Sequence, residues 1–225
     1  KEEDLTDYNA ESFKAAVSLH YRPFENDFEI IYNGKFGFGS TIYQGANRYS
    51  LNNFQMKQHK LEFKNDNFLA RVYSTQEDAG DSYDMRFTGI NMNRATAPEW
   101  YEAYAQTYIG GITGQIPGFP AGDSTAAHNL ARQQADAAFT PQPGTTEFDS
   151  LLETITSDPN LVTGSKFVSK TKLYHADANY NFGHLMGDWG DIMLGGSWRQ
   201  YVLDSQGTIF TDYDGTIDYE EYGAF

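Results

Sequence analysis

Apolar and polar side chains alternate from Ser12 to Arg22. Phe13, Ala15, Val17, Leu19 and Tyr21 share one parity; Lys14, Ser18, His20 and Arg22 share the other. A period of two with one apolar side predicts a β-strand, not a helix. Past a tight polar stretch (Pro23, Glu25, Asn26, Asp27), Phe28, Ile30, Tyr32, Phe36 and Phe38 oppose Glu29, Asn33 and Lys35 in a second strand. Thr41 to Asn53 reads as a medium-length loop and Phe54 to Phe63 as a third strand. Lys64-Asn65-Asp66-Asn67 is a turn by composition, and Phe68, Ala70 and Val72 against Arg71 and Thr75 make a fourth strand. Alternation stops from about Gln76 to Val168 and then resumes. Tyr174, Ala176, Ala178, Tyr180 and Phe182 oppose His175, Asp177, Asn179 and Asn181. After a Gly-rich turn (Gly183 to Gly190), Ile192, Leu194 and Trp198 oppose Ser197 and Arg199. A loop near Asp204 to Gly215 precedes a last strand, Ile217 to Phe225, inside which the chain stops as if cut from something longer.

Read this way, the connections run short, medium, short, very long, short, medium. A meander that alternates tight and long connections has its tight turns at one end, as outer-membrane barrels do. A Greek-key sandwich has no reason to alternate so regularly. One stretch fits poorly: in the third strand Phe54 and Met56 have one parity, Leu61 and Phe63 the other. A bulge near Gln58 accounts for this, and so does a strand whose upper half stands above a bilayer. The expected fold is therefore all-β: an antiparallel up-and-down transmembrane β-barrel segment of about seven strands with one long, partly helical extracellular loop. Residues 1–75 supply about four barrel strands, 76–168 the extracellular insertion, and 169–225 about three strands.

The long interruption carries helical signals. Pro98 to Tyr108 suits a helix bearing Trp100, Tyr101, Tyr104 and Tyr108. Ser124 is a fitting N-cap for the Ala-rich run Thr125 to Ala138, and Thr145 to Thr156 places Phe148, Leu151, Leu152 and Ile155 at helical spacing. A connection of this length is expected to be a small folded lid.

Composition narrows the classes. With 16 Lys+Arg against 31 Asp+Glu the formal charge is −15, which argues against a nucleic-acid partner. Aromatics at 16% separate this acidity from the disordered kind. The absence of Cys excludes a disulfide framework, Cys-ligated zinc and thiol catalysis. No apolar run reaches the roughly 20 residues of a membrane helix, but a barrel strand needs only about 9–11, half of them polar. No targeting signal is visible.

On the barrel reading, Phe13, Val17, Leu19, Phe28, Ile30 and Tyr180 meet lipid, and Tyr21, Phe36, Tyr174 and Trp198 form interfacial girdles. Lys14, Arg22, Lys35, Arg71, His175 and Arg199 face the lumen or a plug, where pairing with carboxylates and water is their default role. Trp100, Tyr101 and Tyr104, with Arg86 and Arg94, are candidate substrate contacts: rigid aromatics anchor ligands and Arg captures oxyanions bidentately. Packing the lid is the competing role of the aromatics. The acidic runs Glu77, Asp78, Asp81, Asp84 and Asp212, Asp214, Asp218, Glu220, Glu221 miss the EF-hand register, so no metal is assigned. No G-x-S-x-G, H-E-x-x-H or Walker A pattern occurs, so the expectation is no enzyme and no cofactor.

Several segments also resemble a known family: Tyr43-Gln44-Gly45-Ala46-Asn47-Arg48-Tyr49 with Asn53-Phe54; Thr75 to Asp84; Asn91-Met92-Asn93-Arg94; Thr156 to Lys166; Leu173-Tyr174-His175; and Gly207 to Asp212. In consistent order over nearly the whole chain, they are similar to Bacteroidetes-type TonB-dependent outer-membrane receptors. The resemblance implies a barrel of roughly 22 strands plugged by an N-terminal domain, capture of a substrate by extracellular loops, and import powered through TonB. It implies TonB, the protein's own plug domain and membrane lipid as partners, with a surface-exposed lipoprotein or other envelope proteins beyond them. The plug and the TonB box do not occur in these residues, so the chain is expected to be a piece of a longer polypeptide. A receptor-like scaffold in an outer-membrane complex and a secreted sugar-binding β-sandwich are the alternatives.

Overall fold

Eight antiparallel strands make one sheet in the computed structural model, which describes residues 1–225. They are β1 (Glu11–Tyr21), β2 (Glu29–Gln44), β3 (Arg48–Lys64), β4 (Phe68–Asp78), β5 (Tyr83–Asp84), β6 (Lys172–Asn181), β7 (Met193–Leu203) and β8 (Ile217–Ala224). Their order is β1-β2-β3-β4-β6-β7-β8, and the short β5 pairs with the start of β3. Each strand of the main path pairs with its neighbour as in a meander. β1 and β8 remain as the two edges, so the sheet is open and not closed into a barrel.

The register gives the alternation its meaning. Residues directly opposite on antiparallel strands project to the same side, so the pairings can be followed across the sheet. One row runs Leu19, Tyr32, Leu61, Val72, Ala176, Trp198, Tyr222. The row beside it toward the 65–67 turn runs Tyr21, Ile30, Phe63, Ala70, Ala178, Gly196, Ala224. Every residue of both rows is apolar, aromatic or Gly. Leu19 is 61% exposed, Val72 49% and Tyr222 76%, while Tyr32, Leu61, Phe63 and Trp198 are half-buried. Phe13, Val17, Ile30 and Tyr180 share this face, as do the four expected girdle aromatics Tyr21, Phe36, Tyr174 and Trp198.

Two expectations about connections need correction. Thr41 to Asn53 is not a loop: Thr41 pairs with Leu51 and Tyr43 with Tyr49, and only Gly45-Ala46-Asn47 turns. The β2–β3 hairpin thus extends beyond β1. The break in alternation there comes from an irregularity opposite Ser40, where Asn53 adopts φ 55° and the register shifts. The β6–β7 connection is also longer than a tight turn, because it folds a short helix, α5 (Gly183–Met186, numbered after the four below), and a 3-10 turn (Gly187–Trp189). Past Gln58 the β2–β3 register is continuous from Phe54 to Lys64, so no bulge lies there. Phe54 and Met56 therefore project to the face opposite Leu61 and Phe63.

The second compact unit, Met85–Ser165 with Lys1–Thr6, is helical. It contains α1 (Met85–Ala95), α2 (Ala97–Ile112), α3 (Ser124–Phe139) and α4 (Thr146–Ser157). Residues 76–84 and 166–168 belong to the sheet unit instead. Asp123, not Ser124, caps α3 by accepting from the Ala126 amide at 3.0 Å, and Thr145 caps α4. Buried Ala127, Ala131 and Ala135 recur every fourth residue of α3. A Cβ on Gly111 of α2 would lie 3.1 Å from the Ala127 Cβ, so small residues allow α2 and α3 to approach closely. Met92, Phe148 and Ile155 form the core between α1 and α4, joined by Leu5, Leu151 and Leu152.

The glycines of β2 differ in what they tolerate. A Cβ on Gly39 would clash with the Glu11 carbonyl oxygen and sit 3.2 Å from Ser12 Cα, whereas one on Gly37 meets nothing closer than 3.6 Å. Gly39→Ala is therefore expected to push β1 away at a cost of about 1–3 kcal/mol, and Gly37→Ala to be tolerated. Amide hydrogen exchange of Glu11 to Ala15 checks this: it accelerates in the first variant and not in the second.

Candidate functional site

The opposite face of the sheet is charged. One row runs Ser18, Asn33, Lys60, Tyr73, His175, Arg199, Glu221, and the next runs His20, Ile31, Glu62, Arg71, Asp177, Ser197, Gly223. Lys14 and Lys35 lie on this face too, and the parity of β1 carries Arg22 to it. The pleat thus brings all six residues expected to share a side, Lys14, Arg22, Lys35, Arg71, His175 and Arg199, onto one face.

Their electrostatics divide into two groups. Arg71 Nε donates to Asp177 Oδ1 at 2.6 Å, and Arg199 Nη1 reaches Glu221 Oε2 at 3.2 Å. Between them His175 Nδ1 accepts from Arg199 Nε at 3.4 Å, which places the ring proton on Nε2, the donor to Asp177 Oδ1 at 2.9 Å. His175 and Asp177 are mostly buried at 7% and 11% side-chain exposure, so this pair is the anchor of the network. Lys60 pairs with Glu62 at 2.9 Å. Near the 22–28 turn Glu29 collects His20 at 3.0 Å, Lys64 at 3.3 Å and Arg22 at 3.7 Å. Cations and carboxylates are matched mostly across strands, and these charges are met within the sheet itself. Lys14 and Lys35 take part in no ion pair.

Lys14 borders a concavity of the sheet. A depression of about 580 Å³ lies over Gly37 and Gly39, walled by Leu51, Phe54 and Met56. Met56 faces Gly37 and Phe54 faces Gly39 in the β2–β3 register. Two residues without side chains opposite two large apolar ones leave a bowl with an apolar wall in an otherwise polar face. Its volume lies within the roughly 300–1,000 Å³ usual for ligand pockets. None of Gly37, Gly39, Leu51, Phe54 or Met56 was singled out from the sequence as a site. The misplaced parity of Phe54 and Met56 was the available signal.

The helical candidates are placed as follows. Trp100 and Tyr104 of α2 stack at 5.1 Å with an interplanar angle of 9°, and Tyr108 continues the series at 2° to Tyr104. His128 of α3 stacks on Tyr108 at 4.3 Å and is hydrogen-bonded to the Tyr104 hydroxyl. Trp100 Nε1 donates to Asp136 Oδ1 at 2.8 Å. The polar atoms of Trp100 and Tyr104 are thus engaged in joining α2 to α3, while Tyr101 remains 64% exposed. Arg94 Nη1 donates to the Val162 carbonyl at 2.6 Å and to Asn91 Oδ1 at 3.1 Å, which uses the guanidinium to hold the 158–165 segment. Arg86 is exposed on the first turn of α1. The structure does not gather these five into one pocket.

The acidic runs are likewise separated. Glu77 accepts from Ser169 Oγ at 2.7 Å, Asp78 from the Gly80 amide at 2.9 Å and Asp81 from Asn53 Nδ2 at 3.0 Å. Asp84 accepts from Asn47 Nδ2. No three His, Cys, Asp or Glu side chains converge as a metal site. Asp212 instead organises the β7–β8 connection. Burial opposes its ionisation, but Ser205 Oγ at 2.6 Å, the Ser205 amide and the Gly207 amide at 2.8 Å all donate to it. These donors outweigh the burial and hold the carboxyl well below the usual carboxylate range. Ser205 Oγ in turn accepts from the Phe210 amide at 2.9 Å, so the loop is built around one carboxylate.

Family models, curated proteins and solved structures were each compared with the chain, and none matches it.

Asp177→Ala leaves Arg71 and His175 without their shared acceptor. It is expected to destabilise by about 1–3 kcal/mol, whereas Glu221→Gln on the open edge strand leaves the denaturation midpoint within error. A second prediction concerns pH. The depressed folded pKa of Asp212 means its contribution is present above the ordinary Asp value of about 3.9 and is lost only as pH falls through the lower folded value. The amides of Ser205 to Gly207 should therefore stay protected from exchange down to about pH 4. Asp212→Asn should expose them even at neutral pH.

Proposed function

We infer that this chain forms part of the wall of an outer-membrane β-barrel, a receptor and transporter of the TonB-dependent type, with the helical unit as its large extracellular insertion. The observation that carries the reading is the division of the sheet by parity: registered rows of exposed apolar residues on one side, matched charges on the other. A bilayer-facing sheet requires this division, because its outer face meets hydrocarbon while its inner face meets water or a plug. Strands of 11, 16, 17, 11, 10 and 11 residues for β1 to β4, β6 and β7 reach the roughly 9–11 needed to cross. Tyr174, Trp198 and Tyr222 sit where the apolar rows give way to Lys172, Gln200 and Glu220, the position of an interfacial aromatic belt. On this reading the β3 segment bearing Lys57 and Gln55 on the apolar side stands at or above the bilayer surface, which resolves its switch of parity.

In lipid each unpaired backbone group costs several kcal/mol, so the edges β1 and β8 require further strands to complete the barrel. The chain's own part in transport is a polar inner wall with the apolar bowl over Gly37 and Gly39 as a ligand-contact surface. It supplies no chemistry. Energy delivered by TonB through a plug, and a surface lipoprotein cooperating with the helical insertion, follow from the family resemblance. A secreted sandwich finds less support, since all strands here join one sheet and no second sheet faces the apolar rows.

The test uses the intact polypeptide containing these residues in its native envelope. It is expected in the outer-membrane fraction, retained through alkaline and urea extraction, and released only by detergent. Recovery in the soluble fraction without detergent contradicts the reading.

A further inference from the structure

On the apolar face of the sheet a basic row interrupts the pattern. Lys57 of β3 pairs with Gln76 of β4, and Gln76 with Lys172 of β6, so the three side chains stand abreast on neighbouring strands. The adjacent row toward the 65–67 turn holds His59, Ser74 and Tyr174; the one after it is wholly apolar, Leu61, Val72 and Ala176. Strand spacing of about 4.8 Å puts the two lysine stems about 10 Å apart, a gap their long side chains close around one phosphate.

Both lysines are exposed and neither has an ion-pair partner. The carboxylates on the same face, Glu11, Asp78, Asp218 and Glu220, form no ion pair with them, and Asp78 accepts from the Gly80 amide. Beside the row, a groove of about 370 Å³ lies over Gly34, walled by Val17, Tyr32 and Phe36 and bordered by Lys57 and His59. The Tyr32 hydroxyl is hydrogen-bonded to His59 Nδ1 at 2.7 Å, which leaves Nε2 without a protein partner.

We propose that this face binds an anionic phospholipid, its phosphate held by Lys57, Lys172, Gln76 and His59 and an acyl chain laid in the groove over Gly34. Charge complementarity selects the headgroup, and continuity with the apolar rows selects a lipid over a soluble anion. The site rests on the membrane reading above. It lies on the side of the apolar rows away from the 65–67 and 182–192 connections, hence in the leaflet on the side of the β4–β6 connection, which carries the helical residues.

The test reconstitutes the full polypeptide in nanodiscs of phosphatidylcholine with or without phosphatidylglycerol and measures lipid retention by native mass spectrometry after extraction. Wild type should retain phosphatidylglycerol preferentially. A juxtamembrane basic residue is worth about fivefold in affinity for anionic lipid, so K57Q/K172Q should weaken that retention roughly thirtyfold and leave phosphatidylcholine unchanged. K57R/K172R should restore it. Equal retention by wild type and K57Q/K172Q, with both embedded, overturns this site alone. Inorganic phosphate binding as tightly as the lipid overturns the lipid assignment. A wild-type protein that does not enter nanodiscs overturns the membrane reading and this site with it.

Discussion

The structure depends on one constraint: antiparallel pairing of period-two strands transmits side-chain parity from each strand to the next. Because the ladder from β2 to β8 keeps a single register parity, a local choice at Phe13 or Ile30 becomes a property of a whole face. A slip of one residue between β4 and β6 would set Arg71 opposite Ala176 or Ala178 and Val72 opposite His175 or Asp177. Both faces penalise that slip, so each strengthens the other's hold on the register. The irregularity opposite Ser40 falls at the very end of β1, where Ser40 pairs with Glu11, and past it only the β2–β3 hairpin continues.

The two faces are held by different physics. On the charged side, Asp177 accepts from both Arg71 and His175, and His175 passes the connection to Arg199; three strands are joined around one mostly buried carboxylate. Removing the acceptor costs more than the net value of a single bond, because the buried His175 is left without its partner. On the apolar side no partner appears within the sheet, and large side chains such as Leu19 and Tyr222 stand exposed. An exposed apolar surface of this extent marks an interaction surface; on the proposed barrel reading its partner is hydrocarbon.

Much of this was legible in the sequence because alternation needs no knowledge of partners. β1, β2, β4 and β6 follow from the parity of their own residues, and so does the grouping of Lys14, Arg22, Lys35, Arg71, His175 and Arg199. What was not legible required the partner strand. Arg71 and Asp177 lie 106 residues apart, and nothing in either segment names the other. The bowl over Gly37 and Gly39 exists only because Met56 and Phe54 fall opposite them. Helix α1 was hidden for a related reason. Its Thr88, Gly89, Asn91 and Asn93 are poor helix formers, and its hold is tertiary: Thr88 Oγ1 meets Ser165 Oγ at 2.7 Å and Asn91 Nδ2 donates to the Gly164 carbonyl at 2.7 Å. The segment 41–53 looked like a loop because Gln44-Gly45-Ala46-Asn47 and Asn52-Asn53 interrupt its alternation, yet Tyr43 and Tyr49 pair across it.

The absence of Cys makes the central claim directly measurable, since single cysteines in this region meet no background from it. Cysteines at Val17, Tyr32, Val72 and Ala176 would be compared with cysteines at Ser18, Asn33, Tyr73 and Ser197 in the full polypeptide in its native envelope. Each would be scored for labelling by a water-soluble maleimide and for contact with a lipid-phase quencher. The account predicts strict alternation: the first set reached from lipid and closed to water, the second set the reverse. Equal water accessibility of both sets, or protection of the first set without lipid contact, would contradict it.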